Sequence, residues 1–142
     1  MNIPILNRLQ ALAKTSTLAA SGPLHIQAAA TVEAVRAALP ELLAVAVIDI
    51  ESGKALAVHS NSSTLAPAKA APYNAEVVRQ KRRALDALSL PNEKIEDILI
   101  TLREQLHLLR VSQDNERLLY LAVSSYDTNL AIARDVLRTH CE

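Results

Sequence analysis

Apolar side chains recur along the chain first at helical and then at strand spacing. Ile5, Leu6, Leu9, Leu12 and Ala13 share one side of a helical wheel, with Asn7, Arg8, Gln10 and Lys14 opposite. Pro4 sits where a first turn tolerates it, so a short amphipathic helix is expected there. Ser21-Gly22-Pro23 interrupts any continuation, because proline disfavours helix at the preceding residue and glycine weakens it. Ala28, Val32, Val35 and Leu39 then repeat at helical spacing until Pro40, which predicts a second helix over 24–39. Residues 42–50 form a nearly unbroken run rich in Val and Ile, too short for another helix and expected as a strand covered on both faces. Glu51-Ser52-Gly53 is a turn, and 54–59 returns as the second strand of a hairpin. The small, polar stretch 60–71 reads as a connection. Pro72 is placed to open a third helix that runs to about Leu88, and Ser89-Leu90-Pro91-Asn92 ends it.

The final third alternates with period two. Ile98, Ile100 and Leu102 form one set, Leu106 and Leu108 a second, and Leu119, Leu121 and Val123 a third. Arg103-Glu104-Gln105 and Gln113-Asp114-Asn115-Glu116 are the polar turns between them, giving a three-stranded antiparallel meander. Asp127, Thr128 or Asn129 can cap a closing helix whose apolar stripe is Leu130, Ala133 and Leu137. The order helix, two strands, helix, three strands, helix predicts an α+β sandwich with one five-stranded antiparallel sheet. The N-terminal helix and linker, 1–23, precede that domain, which spans 24–142.

Composition narrows the function classes. Fifteen Lys and Arg balance fifteen Asp and Glu, so no bulk electrostatic field favours nucleic acid or an anionic membrane. Three Tyr with no Trp or Phe leave no stacking platform for single strands. Two glycines, Gly22 and Gly53, are too few for a phosphate-cradling loop. The lone Cys141 cannot form an internal disulfide, and a chain of 142 residues needs no such staple. No signal-peptide or membrane-spanning run is visible, which makes the cytoplasm the expected compartment. Half the residues are apolar, more than a small monomer readily hides, which argues for a subunit interface.

Catalytic chemistry finds no footing. His25, His59, His107 and His140 are dispersed without metal-ligand spacing, and Cys141 is a terminal helix residue, so neither a metal, a cofactor nor a thiol nucleophile is expected. Ser52-Gly53 sits in a hairpin turn with no helix N-terminus behind it to stabilise an oxyanion. Glu93, Glu96 and Asp97 read as a solvated helix-to-strand connection. The chain reads as a non-enzyme. Its dense basic segment, Arg79-Gln80-Lys81-Arg82-Arg83, is compensated by Glu76 and Asp86 at helical spacing. Lys81 is the exception, since it interrupts the apolar stripe of Tyr73, Val77, Ala84, Leu85 and Leu88, with Asn74 beside it. An isolated ammonium in a core costs several kcal/mol, about 2–7 even for a neutral polar group without a partner. Either the stem of Lys81 runs along the core and its head escapes to water, or a second subunit shares the stripe and supplies an acceptor.

The run Leu42-Leu43-Ala44-Val45-Ala46-Val47-Ile48-Asp49 leading to Ser52-Gly53, then Asp97-Ile98-Leu99-Ile100-Thr101-Leu102, then Thr128-Asn129-Leu130-Ala131-Ile132-Ala133-Arg134 resembles the roadblock family of dynein light chains and their bacterial relatives over about residues 24–142. The resemblance implies a roadblock/profilin-like fold and a twofold dimer in which middle helices pack antiparallel and third strands pair edge to edge. Carried over, the interface comprises Tyr73, Asn74, Val77, Val78, Lys81, Leu85 and Leu88 of the helix with Asp97, Leu99 and Thr101 of the strand 96–103. That strand has no Pro or Gly to blunt a free edge. The resemblance further implies a non-catalytic interaction module that regulates or scaffolds a Ras-like small GTPase, with Arg79, Arg82 and Arg83 beside Tyr73 as the partner-binding platform. A competing expectation is a PAS-like or longin-like sensor with a small molecule held among His59, His107 and Tyr120. A third makes the N-terminal helix a docking device, although Arg8 and Lys14 alone are weak for lipid.

Overall fold

A computed structural model describes residues 22–142. The expected helix around residues 5–14 lies outside the described residues. The elements run α1 (Pro23–Ala38), β1 (Ala44–Asp49), β2 (Ala55–Ser60), α2 (Pro67–Ala87), β3 (Asp97–Thr101), β4 (Gln105–Val111), β5 (Arg117–Ser124) and α3 (Leu130–His140). All strand pairs are antiparallel and the spatial order is β2-β1-β5-β4-β3, so β1 and β5 lie inside the sheet while β2 and β3 form its edges. This is the element order read from the sequence.

Side-chain alternation divides the core into two layers. Val45, Val47, Leu108, Leu119, Leu121 and Val123 meet Ala28, Val32 and Val35 of α1 and Ala133 and Leu137 of α3. On the other face Ala44, Ala46, Ile48, Leu109, Leu118, Tyr120 and Ala122 meet Ala71, Ala75 and Val78 of α2. The continuous apolar run of β1 is therefore explained by two covered faces. The meander's period-two sets land on different faces: Ile98 and Ile100 belong to the α2 layer, Leu106 and Leu108 to the α1/α3 layer. Asn129 is the residue that caps α3, accepting from the backbone N–H groups of Ala131 and Ile132.

The start of α2 differs from the sequence expectation. The helix opens at Pro67, not Pro72, so the connection after β2 is shorter than 60–71. Ala66 holds the extended conformation that a following proline imposes, and Pro67 takes the first-turn position. Ala68, Lys69, Ala70 and Ala71 are good helix formers that carry the first turns. Pro72 is then an interior proline, whose missing N–H leaves the carbonyl of the exposed Ala68 to solvent.

Pro72 also explains Gly53. This glycine has φ +72° and is buried beneath α2, where an added Cβ would stand 3.1 Å from Pro72 Cα. Both the left-handed backbone and the close helix require glycine. Gly53→Ala is expected to destabilise the protein by about 1–3 kcal/mol, read as a lower urea midpoint at unchanged slope. An unchanged midpoint would refute this account of the turn.

Candidate interaction surface

The orientation of α2 follows from residue size. Its sheet-facing residues are Ala71, Ala75 and Val78, and the sheet layer they join offers Ala44, Ala46 and Ala122 among Ile48, Leu109, Leu118 and Tyr120. Small groups on the helix let it approach the sheet closely. The larger apolar residues consequently face away: Tyr73 is 76% exposed, Leu88 63% and Val77 39%, with Leu85 half-buried. Fully burying side chains of this size is worth about 1.5–3 kcal/mol each, a gain the single chain forgoes. Lys81 is exposed on the same flank. Among the residues expected at an interface, Tyr73, Asn74, Val77, Lys81, Leu85 and Leu88 lie on this flank, whereas Val78 is fully buried in its own core.

β3 supplies a second unpartnered feature. Leu102 N–H donates to Gln105 O at 2.8 Å and Val111 N–H to Glu96 O at 3.0 Å. Hydrogen bonding alternates along an antiparallel pair, so Ile98 and Ile100 direct their peptide groups to β4. Asp97, Leu99 and Thr101 direct theirs outward from the sheet edge. Those three residues are the strand positions that the roadblock resemblance places at an interface. The sequence expectation of Asp97 in a solvated connection is corrected: its side chain accepts from Arg134 of α3 at 3.2 Å and lies 3.8 Å from Arg110. Arg134 ties α3 to the edge strand, and Arg110 approaches the same carboxylate from β4. Neither was visible as a partner of Asp97 in the sequence, because the contacts span 37 and 13 residues.

The basic segment is divided by the fold. Arg79 donates to the carbonyls of Ile50 and Glu51 in the β1–β2 turn, and Arg82 donates to Asn115 O in the β4–β5 turn at 2.8 Å. Glu76 accepts from Arg79 and Gln80, which hold its carboxyl below the usual carboxylate range. Arg79 and Arg82 thus fasten α2 to two turns of its own chain. Arg83 remains largely exposed, with Glu76 at 3.8 Å.

The three residues expected to line a sensor cavity do not converge. His59 pairs in register with Val45 and points to the α1/α3 face, whereas His107 and Tyr120 belong to the α2 face. Tyr120 Oη lies 3.3 Å from His107 Nδ1, and the rings meet edge-on with centroids 5.5 Å apart. Gln105 Oε1 lies 2.8 Å from His107 Nε2, which assigns the proton of a neutral ring to Nε2 and makes Nδ1 the acceptor of the tyrosine proton. Burial pushes His107 down and Tyr120 up from their ordinary values. The Cys141 thiol is pushed up to about 11, chiefly by burial, and contacts Arg110 O, which makes it inert rather than nucleophilic. Among the described residues no three His, Cys, Asp or Glu converge to hold a metal, and no helix is long and apolar enough to cross a membrane.

No family model matches the sequence, and no curated protein matches it. Solved structures do match in shape. Myxococcus xanthus MglB superposes over 84% of this chain and 86% of its own with a TM-score of 0.73 at 9% identity. The gliding protein MglB of Thermus thermophilus covers 85% and 87% with a TM-score of 0.67 at 15% identity. A Roadblock/LC7 domain from Streptomyces avermitilis covers 84% and 92% with a TM-score of 0.65 at 12% identity. At these identities the likeness is one of fold.

Because the folded state holds His107 below the unfolded value of 6.5, its contribution to stability is fully present above about pH 6.5 and is lost as pH falls through the folded value. Protonation would also force Tyr120 to surrender its acceptor. His107→Gln should flatten the fall in melting temperature between pH 7 and pH 5; a slope identical to that of the unaltered protein would exclude the pair as its source.

Proposed function

We propose that this chain, whose fold is that of the roadblock domains, is a non-catalytic homodimeric interaction module that regulates or scaffolds a Ras-like small GTPase. The observation that carries the dimer is the coexistence of an outward-facing β3 edge and an apolar α2 flank on one molecule. Free edges of this kind template pairing with another strand. A second copy is the simplest occupant, since homo-oligomers are mostly twofold and a twofold interface uses one patch twice. Pairing centred on Leu99 sets Asp97 opposite the partner's Thr101 and uses every outward peptide group, for about six main-chain hydrogen bonds.

The GTPase reading rests on the roadblock fold and on what the sequence resemblance implies. Within the basic segment, Arg83 carries it best, because Arg79 and Arg82 already donate to turns of their own chain. Pairing two copies would place two such arginines on one face of the assembly.

Leu99→Pro is the direct test of the dimer. The substitution removes an N–H that points away from β4, a position where an edge strand tolerates proline. The expected result is a protein with unchanged circular dichroism whose mass by light scattering falls from twice 15.4 kDa to a single chain. A monomeric unaltered protein at micromolar concentration would end the dimer proposal. For the GTPase, Arg83→Glu should weaken capture of a Ras-like GTPase from the same genome about tenfold while the dimer persists; no capture by the unaltered dimer, in either nucleotide state, would sink that branch alone.

A further inference from the structure

Asn74 and Lys81 are the two polar interruptions of the exposed α2 flank. They stand seven residues apart, about 10.5 Å along the same side of the helix. Asn74 is half-buried with its Nδ2 sealed and without a hydrogen-bond partner, so the outward end of its amide is Oδ1, an acceptor. Lys81 is exposed and makes no hydrogen bond or ion pair with the described residues. One group is an unfilled acceptor on an apolar surface, the other an unfilled donor.

The β3-paired dimer proposed above fixes how its two α2 helices are oriented, and the inference rests on that reading. Antiparallel pairing of β3 with its own copy has a twofold axis perpendicular to the sheet. The same axis puts both α2 helices on one face of the extended sheet and runs them antiparallel. We infer that Asn74 and Lys81 set the register of that helix pair, with Lys81 Nζ of each copy donating to Oδ1 of the partner's Asn74. An axis passing between Val77 and Val78 does this twice by symmetry, and it also sets Ala70 against the partner's Leu85. Other positions of the axis are penalised. Centring on Lys81 brings two ammonium groups together, centring on residue 79 sets Lys81 against the partner's Val77, and centring on Asn74 sets it against the partner's Pro67. Each of those leaves Lys81 without an acceptor. A single polar position fixes register in paired helices by this kind of exclusion.

The register is read by cysteine pairs in the full chain carrying Cys141→Ser. Within one helix residues 74 and 81 are too far apart for a disulfide, so a bond between them joins two copies. The double variant Asn74→Cys/Lys81→Cys should give a covalent dimer on mild oxidation, with neither single variant doing so. Asn74→Asp should tighten the dimer about tenfold and Asn74→Lys weaken it about tenfold, the latter recovering on adding Lys81→Asp. If Val77→Cys/Lys81→Cys gives a covalent dimer on oxidation and the 74/81 pair does not, the register is overturned while the helix pairing stands. A dimer by light scattering in which neither pair joins two copies overturns the register but leaves edge pairing. A monomer at every concentration overturns both this inference and the dimer on which it rests.

Discussion

The small side chains that α2 turns toward the sheet determine how the rest of its surface is arranged. Ala71 and Ala75 pack in the same layer as Ala44, Ala46 and Ala122, and Gly53 keeps a turn low enough to pass beneath Pro72. Side chains of one carbon allow little separation between helix axis and sheet, so the helix cannot rotate its tyrosine or leucines inward without pushing the layer apart. Interiors packed to crystal-like density do not absorb such a change. The helix therefore presents its bulky apolar residues outward as a consequence of how it is held.

That arrangement gives the basic segment two different roles. Arg79 and Arg82 extend along the margin of α2 to the carbonyls of the β1–β2 and β4–β5 turns, where they satisfy backbone acceptors and fix the helix against the end of the sheet. Hydrogen bonds to charged donors of this kind are worth about 1.5–3 kcal/mol, so their first use is structural. On the opposite face Arg134 of α3 and Arg110 of β4 both approach Asp97, so that Arg134 joins α3 to β3. The edge strand is thus held from one side by β4 and from above by α3, while its outer peptide groups stay unpaired. A rigid edge is a better template for another strand than a mobile one, because less ordering entropy is lost on pairing.

The sandwich was legible in the amino-acid order. Period-two alternation, the apolar run of β1, the glycine of the hairpin and the asparagine cap of α3 are local signals, each set by backbone sterics or by burial on known faces. Misplacing the start of α2 at Pro72 shows the limit of such signals. Two prolines were each compatible with a first turn, and the choice fell to the alanine-rich segment between them, whose helical preference outweighs one lost backbone bond.

Residue order alone settled which segments become helix or strand and where the apolar positions fall, because both depend on neighbours within a few positions. Which side of α2 faces the sheet depends on the volume available above β1 and β5, a property of residues nearly thirty to fifty positions away. Apolarity alone selected Tyr73, Val77 and Leu85 for the inside; steric fit selected Ala71, Ala75 and Val78. The pairing of Arg79 with a turn, of Asp97 with α3, and the outward aim of the peptide groups at 97, 99 and 101 likewise arise only when strands take their order in the sheet. These features came from assembly of the fold, because packing and hydrogen-bond register are set between elements rather than within them.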